Sequence, residues 1–294
     1  MKPIIPALLL CAGGHAQWLN YREPGVPRLK DGKVNLFAPA PRTADRKPDL
    51  TGVWMHEPTP TAELKRLFRG TPGESELDNL PPGMNVELQN KYGLDILIDF
   101  DADFWSNLKP GVPPPTPPLV RPEAWKSVLG RIAEGKIIDI NRCNSDAGWP
   151  LAGMVSEPIK IVQAPKETMI LYELGSLHRQ IFTDGRGFPA EFDLPAYLGY
   201  SVGHWEGDTF VVETRGFNDR TPLDAVGHPR SDAMHVIERF RRRDFGHLDV
   251  EMTFDDPKSY TRPFTIRVAH DLVPDNDIFE MFCENEKDAA HIKR

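Results

Sequence analysis

Polar and apolar residues alternate from His247 to Phe254. Leu248, Val250, Met252 and Phe254 are apolar, and Asp249, Glu251 and Thr253 between them are polar. A period of two marks a strand with one buried face. His235 to Arg243 precedes it, joined through Asp244-Phe245-Gly246, so the pair predicts a hairpin. A second hairpin is predicted from Tyr200–Trp205, the turn Glu206-Gly207-Asp208 and Thr209–Gly216. Glycine beside aspartate supplies the positive φ of a tight turn, and Phe210, Val211 and Val212 are typical strand formers. Further strands are predicted at Gly52–Trp54, Ile159–Gln163, Met169–Leu174, His178–Thr183, Phe264–Leu272 and Ile278–Cys283. Short strands without intervening helices predict a mainly β fold, an antiparallel meander closed as a barrel or folded as a sandwich.

Helical periodicity is confined to peripheral pieces. Trp125, Val128, Leu129 and Ile132 recur at helical spacing within Glu123–Glu134, with Pro122 where a helix start tolerates it. Thr61–Arg69 reads as a shorter helix, and Leu94–Phe100 is apolar enough to be buried. Gln17–Pro48 shows no periodicity and reads as an extended arm. Residues 49–294 then form one β-rich domain. Lys109–Pro122 is a proline-rich connector.

Composition narrows the function. With 35 Lys+Arg against 43 Asp+Glu, the formal net charge is -8. That balance argues against a broad nucleic-acid-binding surface. The first 16 residues combine Lys2, the apolar run Ile4–Ala12 and small residues around Gly14-His15-Ala16. This order predicts a signal peptide cleaved after Ala16 and export to the periplasm or beyond. No stretch approaches the ~20 apolar residues of a membrane-spanning helix. Cys143 and Cys283 remain after cleavage, and in an oxidising compartment they are expected to form a disulfide.

No phosphate-binding glycine loop, H-E-x-x-H or paired C-x-x-C is present, so the sequence implies no cofactor and no metal. Gly199-Tyr200-Ser201-Val202-Gly203 matches the G-x-S-x-G string, but a strand rather than a helix follows the serine, and a nucleophile elbow needs the helix. The remaining candidates are polar residues on consecutive β segments. Asp184, Arg186, His204, Glu213, His235 and Glu238 are the candidate acid–base set. In it, His204 or His235 would be the base, Glu213 or Glu238 its orienting partner, and Arg186 the anchor for an anion. Tyr200, Trp205, Phe210, His228 and Arg239 are the candidate ligand-binding set. If the sheet closes, Asp184, Arg186, His204, Glu213, His228, His235 and Glu238 are expected around one pocket.

Five segments carry a resemblance: PDLTGVW (Pro48–Trp54), IFTDGRGFP (Ile181–Pro189), GYSVGHWEGDTFVVETRGFND (Gly199–Asp219), VIERFRRRD (Val236–Asp244) and DDPKSYTRPF (Asp255–Phe264). The chain resembles a large, uncharacterised family of exported bacterial proteins. Members often carry a histidine after T-D-G-R, where this chain has Phe188. The Gly52-Val53-Trp54 opening is also similar to that of lipocalins, which implies a barrel holding a small, often apolar ligand. Three functions follow as expectations. The first is an exported lipocalin-like barrel binding a small organic molecule in a partly polar cavity. The second is an acid–base hydrolase, lyase or isomerase on the same scaffold. The third is an envelope structural or interaction protein whose proline-rich segment meets a partner.

Overall fold

In the computed structural model, which describes residues 22–57, 119–133, 149, 158–193, 195–223 and 228–279, nine strands close into a barrel. They are β1 (Gly52–His56), β2 (Ile159–Ala164), β3 (Glu167–Tyr172), β4 (His178–Phe182), β5 (Tyr200–Glu206), β6 (Thr209–Arg215), β7 (His235–Arg242), β8 (His247–Asp255) and β9 (Phe264–Leu272). Spatial order follows chain order, and β9 returns to β1 through Trp54↔Leu272, Met55↔Asp271 and His56↔His270. Closure leaves no full-length sheet edge to template another strand. The barrel therefore replaces the sandwich alternative.

Every neighbouring pair is antiparallel except β4 and β5, which run parallel and share only Ile181↔Ser201 and Phe182↔Val202. The cause is the connection. Residues 183–199 carry the chain back before β5 starts, where every other pair of consecutive sheet neighbours among β2–β9 reverses direction. The β5–β6 turn is a two-residue one, with Glu206 opposite Thr209 and Gly207 at φ 62°.

Alternation fills the interior in rungs. Trp205, Phe210, Phe240, Val250 and Val268 form one, and Ser201, Thr214, Val236, Phe254 and Phe264 another. Between them lie Gly203, Val212, Glu238, Met252 and Ile266. Gly203 is required by space. A Cβ there would lie 2.7 Å from the Phe210 ring and 2.9 Å from Ile181.

The helix α1 (Pro122–Ala133) begins with proline, as its N-terminal position permits. It brings the buried Trp125 and Val128 to the core that also holds Leu223, Phe217 and Tyr260. The N-terminal arm crosses the opposite end. Leu36 and Ala38 accept backbone hydrogen bonds from Gly246 and Phe245, Arg42 pairs with Asp208 at 2.6 Å, and Arg28 with Asp275 at 2.6 Å.

Ile278 and Phe279 are not in a strand, and Cys283 lies outside the described residues. So do Cys143, the signal segment, the Thr61–Arg69 helix, Leu94–Phe100 and most of Lys109–Pro122.

Candidate functional site

The structure does not gather the candidate residues around one pocket. The two-residue period of the strands separates them. Gly203, Val212 and Glu238 share an inner rung, so their neighbours His204, Val211 and Arg239 share the outer one. On that outer face His204 lies 3.3 Å from Glu206, and Arg239 pairs with Glu206 at 2.7 Å. Glu213 and His235 also face outward and meet at 3.0 Å. Asp184 and Arg186 close on each other at 2.5 Å in the exposed turn after β4. Hydrogen bonding to Arg186 pulls the Asp184 carboxyl down to about 2. His228 is fully buried near Trp125, with ring centroids 6.1 Å apart. Trp205 and Phe210 pack on each other at 5.2 Å in the core, so they furnish barrel interior rather than a ligand wall.

Of the acid–base candidates, only Glu238 points inward, and its partner is an arginine rather than a histidine. Arg179 on β4 grips both Glu238 oxygens, Nη1 at 3.1 Å and Nη2 at 2.5 Å. Its Nε donates to Ser201 Oγ at 3.0 Å, and Nη2 also donates to Thr214 Oγ1 at 2.7 Å. The Trp149 ring covers the guanidinium, 3.8 Å from its centroid. Trp149 is held in turn by its carbonyl, which accepts from Arg230 Nη1 at 2.6 Å. Burial raises the Glu238 carboxyl above its ordinary value, and the charge and hydrogen bonds of Arg179 oppose that shift. The fork geometry and the satisfied donors favour the ionised pair at neutral pH. Such a network fixes β4, β5, β6 and β7 relative to one another.

The wall opens where β4 and β5 part. Beyond their two shared pairs the strands splay, leaving a groove of about 480 Å³. Leu177, Phe182, Leu198 and Tyr200 give it apolar walls, and Arg179 and Ser201 contribute to its lining. Phe182 and Tyr200 also belong to a patch of half-buried rings. Tyr200 lies 5.1 Å from Phe182, 6.2 Å from Phe188 and 6.4 Å from Phe192. Gly216 permits this close assembly, since a Cβ there would lie 2.5 Å from the Phe192 ring.

A second cleft, about 530 Å³, lies under the arm. Its charges already have partners. Lys160 meets Asp277 at 2.8 Å, and Arg242 donates to the carbonyls of Asp49, Asp244 and Phe245. Burial lowers Arg242 to about 10. Elsewhere in the interior, His56 and His270 pack edge to face, centroids 4.5 Å apart. Burial, then the neighbouring His56, pushes the His270 imidazole well below its ordinary value. Among the described residues, no group of three or more His, Cys, Asp or Glu is arranged to hold a metal, and no helix is long and apolar enough to cross a membrane.

No family model matches the chain, and no curated protein or solved structure matches it significantly. Arg179, Thr214, Arg215, His56 and His270 are not in the candidate sets. Arg179 was accessible in principle, since it shares the period-two face of β4 with the buried Ile181.

Proposed function

We propose that the protein is an exported β-barrel that binds a small organic molecule in the groove between β4 and β5. One observation carries this reading: an apolar groove of ligand size lies at the one place where the barrel wall is held by two residue pairs. Small-molecule sites occupy roughly 300–1,000 Å³ and combine apolar walls with a few polar groups. Here the polar side chains on the lining are His178, Gln180 and Tyr200, because Arg179 and Ser201 are buried and held by Glu238 and Thr214. The larger cleft under the arm is less suited, because Lys160, Asp275, Asp277 and Arg242 on its lining are already engaged. The resemblance to exported bacterial proteins and the signal-like first 16 residues support export, with a mature chain starting at Gln17.

The test is backbone NMR with a panel of neutral, anionic and cationic small aromatic compounds. Saturable shifts at Leu198, Tyr200 and Ser201 are expected, and Leu198→Trp, which fills the groove, should abolish them. A panel that shifts no groove resonance defeats the reading. Intact mass of the exported protein tests cleavage after Ala16. An acid–base enzyme is the second reading, favoured by the Glu213–His235 hydrogen bond. That pair lies on the outer face of the barrel, outside the groove, so it supports catalysis less than the groove supports binding.

A further inference from the structure

Two guanidiniums lie on the ring patch beside the groove, and they differ in what they are free to do. Arg186 stands 4.0 Å over Phe182 and is committed to Asp184 by three side-chain hydrogen bonds. Arg215 stands 5.0 Å over Phe188 and has no carboxylate partner among the described residues. Its polar contact is His235 Nδ1 at 3.5 Å. His235 Nε2 in turn meets Glu213 Oε2 at 3.0 Å. These contacts define the tautomer. Nε2–H donates to Glu213, and the bare Nδ1 accepts from Arg215. Glu213, the nearby carboxylate, is engaged by the imidazole. The exposed fork of Arg215 is left available, next to apolar ring surface.

Arg215 is also the cross-strand partner of Tyr200, which lines the groove. Directly opposed side chains on paired strands start roughly 5 Å apart. A ligand seated against Tyr200 therefore lies within reach of the Arg215 fork.

We propose that the groove takes a planar organic monoanion of the aryl carboxylate class, its carboxylate on Arg215 and its ring against Tyr200 and Phe188. This rests on the groove being the binding site. A guanidinium fork matches a carboxylate bidentately, and aromatic faces take a flat ring edge-on or offset. One free guanidinium with Glu213 close by suits a monoanion better than a phosphate dianion.

The experiment uses the full chain with three probes: benzoate, its neutral isostere benzamide, and inorganic phosphate. Calorimetry gives affinity, and NMR follows Tyr200, Phe188 and the His235 ring. Benzoate should bind in preference to both other probes. It should also raise the His235 titration midpoint, because a carboxylate on Arg215 neutralises the charge beside that ring. Arg215→Gln should weaken benzoate about tenfold, the scale of a lost charge-assisted contact, and leave benzamide unchanged. Arg241→Gln, an outer-face arginine away from the patch, should change nothing. If benzamide equals benzoate and Arg215→Gln affects neither, the anion inference falls and the groove reading stands. If phosphate binds as well as benzoate, the aryl part falls. If neither benzoate nor benzamide perturbs the groove, both readings fall.

Discussion

Arg179 reaches past β5 and β6 to hold Glu238 on β7 with both ends of its guanidinium, at 3.1 and 2.5 Å, and both side chains are 1% exposed. Removing one partner leaves the other buried without compensation. Arg179→Met or Glu238→Leu alone should cost on the order of 3–5 kcal/mol. The double variant should recover much of that loss, because a well-packed apolar pair avoids desolvating two charges. Urea unfolding of the three variants checks this as a double-mutant cycle. Single-variant losses that simply add would show that the pair is not coupled.

Gly203 makes a smaller, local prediction. Alanine there places a methyl 2.7 Å from the Phe210 ring and 2.9 Å from Ile181. Overpacking of this kind costs roughly 1–3 kcal/mol. Relief should come from Gly203→Ala combined with Phe210→Leu, which opens the contact, measured by thermal unfolding of the single and double variants. A Gly203→Ala barrel as stable as the parent would contradict the packing.

Strand positions were legible because alternation is strong wherever one face is buried, as on β7 and β8. The closure of β9 onto β1 was consistent with the pattern but not dictated by it, since a sandwich alternates in the same way. The parallel β4–β5 pair was not legible. It depends on where residues 183–199 return the chain, and no local period records that. The candidate site failed for a related reason. Adjacent residues on a strand point to opposite faces, so crowding in sequence brought His204, Glu213 and His235 to the outside and Glu238 to the inside. Arg179 could have been found by counting by twos from Ile181.

His235 should titrate below the ordinary histidine value. Burial is the first cause and the Arg215 charge the second, and Glu213 opposes both. Arg215→Gln should move the midpoint up, and Glu213→Gln should move it down. NMR titration of the ring protons measures both, and movement in the opposite sense would overturn the assignment of partners.

The His270 imidazole makes stability depend on pH. It is 1% exposed, packed edge to face with His56, and held neutral by burial and by that neighbour. Its register partners on β8 and β1 are Leu248 and His56, so neither brings a carboxylate to stabilise a charged ring. In the unfolded chain the same side chain titrates near its ordinary value of about 6.5. The folded value is depressed, so the unfolded state binds the proton first. The stabilising difference is fully present above about 6.5 and is lost as the pH falls towards the folded value. The slope is at most about 1.4 kcal/mol per pH unit for each proton taken up on unfolding. His235, also depressed, adds to the same trend. The parent should therefore lose stability relative to His270→Leu as the pH falls from above neutrality. Urea unfolding at pH 7.5, 6.5 and 5.5 reads the slope of each protein directly. Parallel slopes for parent and variant would mean that His270 is not a buried neutral imidazole, and the edge-to-face pair with His56 would need another explanation.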